Sequence, residues 1–223
     1  MTGGQLPEEM TDEQFLRLYG PWQPATLDEV RGWLAGWDRP WWIAGGRSIE
    51  AYTGVVREHE DVDVAFFRRD VASLHALLSP RFDLWAAGSG TLKPLGWDHG
   101  RRVEPVLPEW SGQVWLREHA LAAWQIDFVA TPDADGRWVF KRDPTCTAEL
   151  DEVTWVGADG VRYQRPEVTL AFKAHLMRPK DQADFAAALP ALSRPEAGWL
   201  RDRLRALHPD GHAWDEQVAA RAG

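Results

Sequence analysis

The stretch Trp41-Trp42-Ile43-Ala44-Gly45-Gly46-Arg47-Ser48-Ile49-Glu50-Ala51-Tyr52-Thr53-Gly54-Val55-Val56-Arg57-Glu58-His59-Glu60-Asp61-Val62-Asp63-Val64-Ala65-Phe66-Phe67 decides the fold. An apolar strand runs into two glycines. A short helix with Ile49 and Tyr52 inward follows and ends near Gly54. The segment closes on a second apolar strand that begins with two aspartates. Side chains alternate along a strand, so Asp61 and Asp63 share a face with Ala65, while Val62, Val64 and Phe66 take the other and pack inward.

Two carboxylates about 7 Å apart on one strand face repel unless a cation sits between them. Magnesium suits such a pair, because it takes a few carboxylate oxygens and completes its shell with water and substrate phosphate. Glycines at a helix start let a phosphate approach the backbone, whose free N–H groups favour an anion. Gly45 and Gly46 are therefore candidate phosphate contacts, with a hydroxyl from Ser48 and a charge from Arg47 beside them. Taken alone, the aspartate pair also fits a strand with a polar edge, and the glycine pair a plain tight turn. Their succession over a short interval separates the two readings. In haloacid-dehalogenase phosphatases and metal-using glycosyltransferases the aspartates end an apolar strand, whereas here the apolar run comes with and after them.

A third carboxylate lies in Trp124-Gln125-Ile126-Asp127-Phe128-Val129. Ile126 and Phe128 point together, and Asp127 faces the other way as a lone charge among apolar neighbours, a costly position unless it is paired or metal-bound. A core arginine such as Arg102 is an alternative partner. Glu104 is a weaker candidate, since Arg101 and Arg102 neutralise it. Lys173 and Lys180 are candidate partners for a triphosphate or leaving pyrophosphate. The other reading of Lys180 is an exposed pair with Asp184 one helical turn on. His59 contacts a phosphate or caps the strand, and Arg57 is within reach of a triphosphate.

Working outward, Thr11-Asp12-Glu13-Gln14 is a capping box and Thr26 opens a second helix that ends at Gly36. Strands are predicted at residues 40–44, 62–67, 82–86, 102–106, 124–129 and 137–140, with Asp135-Gly136 as a turn. Helices are predicted at residues 71–78, 166–177, 181–189, 195–207 and 212–222. The fold class is α+β, a mixed sheet with flanking helices over residues 1–160, then a helical domain over 161–223.

The 223 residues are 44% hydrophobic and 26% charged, ordinary for a globular protein. The longest apolar runs are too short to span a bilayer, and the acidic start has no apolar leader core. Cys146 is the single cysteine, which excludes an internal disulfide and a cysteine-rich zinc site and fits a reducing cytoplasm. A formal net charge of −9 disfavours a nucleic-acid partner and suits a cationic small molecule or divalent metals. Fourteen tryptophans serve as core or as ligand platforms.

The block Gly45-Gly46, fourteen residues, Asp61-Val62-Asp63-Val64 resembles the signature of the polymerase-β-like nucleotidyltransferase superfamily. The string WWIAGGRSIEAYTGVVREHEDVDVAF is similar to the aminoglycoside 2″-adenylyltransferase and lincosamide nucleotidyltransferase group, which has a Gly-Gly turn, a short helix, a basic residue, a histidine and Asp-x-Asp in that order. Arg47 departs from the small or aromatic residue common at its place. The resemblance implies a nucleotidyltransferase core. It implies that Asp127 completes the metal site begun by Asp61 and Asp63, or acts as general base. It also implies that two Mg2+ ions and ATP or another nucleoside triphosphate take part. The implied acceptor is a hydroxyl of a small molecule, an aminoglycoside or a lincosamide, with Trp97, Trp110 and Trp115 suited to an amphipathic cation. Two alternatives stand beside it: a toxin-type transferase acting on a protein or RNA, and a nucleotide-binding regulatory domain without catalysis.

Overall fold

Two threonines set where the chain first becomes helical. Thr11 accepts the Gln14 N–H while Gln14 accepts the Thr11 N–H, and Thr26 repeats the exchange with Glu29. Each pair satisfies two donors that a helix start leaves orphaned. The helices they open are α1 (Asp12–Tyr19) and α2 (Leu27–Trp33). This computed structural model describes residues 10–223, and most of the acidic start read as lacking a leader core lies outside the described residues.

Next come β1 (Trp41–Ile43), α3 (Gly45–Thr53), β2 (Asp63–Phe67), α4 (Val71–Leu78), β3 (Asp83–Gly88) and β4 (Thr91–Pro94). A small ribbon of β5 (Trp97–Asp98) and β6 (Arg101–Arg102) precedes β7 (Gln113–Arg117) and β8 (Ile126–Thr131). A second small sheet holds β9 (Asp133–Ala134), β10 (Arg137–Val139) and β11 (Thr147–Ala148). After α5 (Leu150–Val153), β12 (Thr154–Val156) and β13 (Arg162–Gln164), the chain ends in α6 (Pro166–Lys173), α7 (Pro179–Ala188), α8 (Arg194–Leu207) and α9 (Asp215–Ala222).

The main sheet is eight-stranded, in the order β12-β13-β1-β2-β8-β7-β3-β4. Strands β1 and β13 are parallel, as are β2 and β8, and the other pairs are antiparallel. The sheet is therefore mixed, with flanking helices and a helical end, as the sequence predicts. One face buries Ile43, Val62, Val64, Phe66, Ile126 and Phe128 with Val30 of α2 and Leu74 of α4. The opposite face buries Trp42, Ala65 and Phe67 with Ile49 of α3, Val168 and Leu170 of α6, Phe185 of α7 and Leu200 of α8. The carboxylates stand on this second face. At the C-terminal end Phe185 and Trp214 stack at 4.1 Å, which ties α9 to α7.

Several boundaries differ from expectation for local reasons. The strand expected at residues 102–106 shrinks to β6, with Val103 and Val106 exposed and Pro105 lacking a ladder donor. Helix α2 ends at Trp33 with Leu34 as its cap, before Gly36. Helix α6 stops at Lys173, and Met177 takes a left-handed φ of 53° before Pro179 opens α7. The last helix starts at Asp215. The boundary expected near residue 160 falls in the turn between β12 and β13, and β13 lies in the main sheet beside β1. Among the described residues, no helix is long and apolar enough to cross a membrane.

Candidate active site

The parallel pairing of β2 with β8 sets Asp63 and Asp127 side by side as register partners. Neighbouring strands run about 4.8 Å apart, and opposed residues project to the same face. Asp61 lies two residues earlier, in the loop that leads into β2, and its charge bears on both of the others. Burial, reinforced by Asp61, pushes the Asp63 carboxyl up to about 7. Asp127, only 6% exposed, is raised well above the ordinary carboxylate range by burial and then by Asp63 and Asp61. The three acids that the sequence singles out are thus brought together. Arg102, the alternative partner of Asp127, lies over the Trp97 ring instead. Glu104 is exposed and lines a different hollow, with Arg68 and Arg69.

Among the described residues no three His, Cys, Asp or Glu side chains are placed together so that they could hold a metal ion as they stand. What the site offers is an open row of carboxylates. Asp127 accepts from Gln113 Nε2 at Oδ2, while its buried Oδ1 has no hydrogen-bond partner. Lysines 173 and 180 and Arg178 only partly offset the charge at Asp63. The orphaned Asp127 oxygen and the raised proton affinities of Asp63 and Asp127 mark an unneutralised pair of buried acids, a charge that a divalent ion would relieve.

Helix α3 begins at Gly45 itself, so the glycine pair forms its first turn and not a loop before it. No side chain caps that turn. Both glycines are required by what lies over them. Gly45 has a φ of 61°, and a Cβ there would stand 1.9 Å from Asp63 Oδ2. A Cβ on Gly46 would stand 2.0 Å from Arg57 Nη2 and 2.8 Å from His59 Cε1. The turn thus receives an acid on one glycine and two basic side chains on the next. Ser48 is fully buried, donating to Gly45 O at 2.8 Å and bonded to Thr169 Oγ1 at 2.9 Å. It braces the turn against α6. Arg47 points to Glu50 at 3.7 Å and lines a cavity of about 440 Å³ with Ile43, Val62 and Tyr163.

Of the remaining basic candidates, Arg57, Lys173 and Lys180 converge on α7. Arg57 makes a two-point pair with Asp184, at 2.7 and 2.9 Å. Lys173 lies between Asp181, at 3.0 Å, and Asp184, at 2.9 Å. Lys180 pairs with Glu60 at 2.8 Å, not with Asp184 as helix spacing suggests. His59 meets Glu50 Oε2 at 2.6 Å, and burial lowers its pKa, which favours the neutral ring.

Sequence reasoning missed Gln113, Lys141 and Asp181, and read Asp184 only as a partner of Lys180. Trp115 is the register partner of Asp127 and packs edge-on against Trp22 and Trp124. The Lys141 amine rests on Gly112, where a Cβ would come within 2.2 Å. Its pKa is lowered by burial and by Arg68 and Arg142, and raised by Asp127. The alternation of Val114 and Leu116 was the available signal for β7. Trp97 and Trp110 line two other cavities, so of the three tryptophans offered for an acceptor only Trp115 pairs with a site carboxylate.

The model of the aminoglycoside-2''-adenylyltransferase family matches residues 26–154, a span running from the capping box of α2 through all three acids to β12. The chain belongs to that family. As an aminoglycoside-2''-adenylyltransferase family member it is a nucleotidyltransferase. No curated protein matches it in sequence. The solution structure of the antibiotic-resistance factor ANT(2'')-Ia is 18% identical with a TM-score of 0.51, covering 82% of this chain and 91% of the other. The crystal structure of ANT(2'')-Ia in complex with adenylyl-2''-tobramycin is 15% identical with a TM-score of 0.50, covering 80% and 94%. The lincomycin-bound lincosamide antibiotic adenylyltransferase LnuA follows at 15% identity and a TM-score of 0.49, covering 74% and 97%. At these identities the likeness is one of fold.

Proposed function

We propose that this family member moves AMP from ATP to a hydroxyl of a small acceptor, with Asp61, Asp63 and Asp127 as its metal-binding and catalytic acids. The observation that carries this reading is the lateral pairing of Asp63 with Asp127 on parallel strands, opposite a glycine turn that the Asp63 carboxylate touches. Bound there, magnesium would neutralise triphosphate charge and lower the pKa of the acceptor hydroxyl. The chain's own groups supply the rest. The first-turn N–H groups of α3 at Gly45 and Gly46 receive a phosphate, and Ser48 fixes their geometry. Arg57, Lys173 and Lys180 offset charge on the departing pyrophosphate. Asp127 Oδ1 is the free basic atom beside the acceptor, on a carboxyl whose affinity for a proton burial has raised.

ANT(2'')-Ia carries an adenylylated tobramycin in its crystal structure, so aminoglycosides are the first acceptors to test. The Trp115 edge offers such a ring system a flat apolar wall. The work belongs in the cytoplasm, where the triphosphate is. Helices beyond residue 160 close the nucleotide side, since Lys173 and Lys180 come from them. Incubation with labelled ATP or GTP, magnesium and panels of aminoglycosides, lincosamides and proteins tests the reading. Label on an antibiotic is the expected outcome. Label on protein would favour the toxin-type reading, and metal-independent nucleotide binding without transfer would favour the regulatory one.

A further inference from the structure

Between the glycine turn and α7 lies a charge network that neither family membership nor the acid trio explains. Asp181 is fully buried and Asp184 is 4% exposed. Three cations gather on these two acids. Arg57 bonds both oxygens of Asp184, Lys173 bridges the two aspartates, and Arg178 reaches Asp181 Oδ2 at 2.9 Å. Arg57 comes from the loop that carries Asp61 and leads to Asp63 at the start of β2, and its guanidinium crosses directly over Gly46. Lys173 comes from the end of α6, and its charge bears on Asp63. A two-point carboxylate grip fixes a guanidinium in plane as well as in place.

We propose that Asp184, backed by Asp181, is a positioning residue for the nucleotide: it holds Arg57 across Gly46 and Lys173 beside the acid pair, so that both cations meet the triphosphate. This rests on the nucleotide reading above. The proposal separates from a merely stabilising ion pair by the sign of its effect. Removing the Asp184 charge makes the region more positive, and charge alone would then strengthen anion binding. Lost positioning weakens it, and most for the β- and γ-phosphates.

The test titrates full-length wild type, Asp184→Asn, Asp184→Glu and Arg57→Lys with MgATP and with AMP, at a temperature where each keeps its native circular dichroism. Asp184→Asn is expected to weaken ATP about tenfold more than AMP, the scale of one charged hydrogen bond. Asp184→Glu is expected to recover most of that loss. Arg57→Lys is expected to follow Asp184→Asn, because an ammonium cannot grip both oxygens in plane, and it carries the test should Asp184→Asn not fold. An ATP affinity unchanged or raised in Asp184→Asn, or ATP and AMP weakened alike in both variants, overturns the proposal. Wild type that binds neither nucleotide overturns the nucleotide reading itself.

Discussion

Asp63 and Gly45 form one unit, because the carboxylate occupies the space a side chain on residue 45 would fill. Replacing Asp63 removes this charge and replacing Gly45 displaces it, with opposite effects on stability. Asp63→Asn is expected to lower turnover about a thousandfold or more, the loss typical of a key electrostatic group. Asp61→Asn is expected to do the same. The Asp63 carboxyl has a pKa near 7 in the folded chain, above its unfolded value, so its stabilising contribution is intact at low pH and lost as pH rises through about 7. In metal-free protein at pH 8, Asp63→Asn should therefore raise the melting temperature. Gly45→Ala should match it in lost turnover yet lower the melting temperature, since alanine at a φ of 61° is strained and meets the Asp63 oxygen. Equal melting shifts in the two variants would contradict this account.

At the scale of elements, α6 buries an acid that the chemistry does not use. Glu167 is 5% exposed, its Oε2 has no partner, and burial followed by Glu196 pushes its carboxyl up to about 7. Its folded pKa lies above the unfolded one, so its contribution is whole below about 4.5 and lost as pH rises through about 7. Glu167→Gln should change the melting temperature little at pH 5 and raise it at pH 8 by about 3 °C or more. A shift of equal size at both pH values would show that Glu167 is not charged at pH 8. Legibility in the sequence follows the same division between local and distant. Strands β1, β2 and β8, the Thr11 capping box and the helix start at Thr26 were readable because their signals lie within a few residues. Strand β7 was hidden because Trp115 sits where a polar residue would mark the outer face, although Val114 and Leu116 alternate into the core. The Lys180–Asp184 pair was the natural reading of helix spacing, but Lys180 finds Glu60 and Asp184 finds Arg57, both from far along the chain. The three acids could be named from sequence, whereas their neighbours Gln113, Asp181 and Asp184 arrive only through the fold.

Across the whole molecule, one sheet separates two cores, and the second core is shared between the chain's two halves. Trp42, Ile49, Ala65 and Phe67 come from before residue 160, and Val168, Leu170, Phe185, Leu200 and Trp214 from after it. Burying that face removes several large side chains from water, each worth about 1.5–3 kcal/mol, on the scale of a domain's entire net stability. Strand β13 adds backbone pairing with β1 across the same boundary. The second core is incomplete in either half alone, so residues 10–223 should unfold as one cooperative unit. In a urea titration, far-ultraviolet circular dichroism and tryptophan fluorescence should give coincident midpoints, because buried Trp42 reports on the sheet and buried Trp214 on α9. A fragment ending at residue 160 should fail to give a native spectrum, with Trp42 and Phe67 left facing water. Two resolved transitions in the full chain, or a fragment that folds by itself, would mean that the helices beyond residue 160 dock on a finished domain and leave its nucleotide face to form unaided.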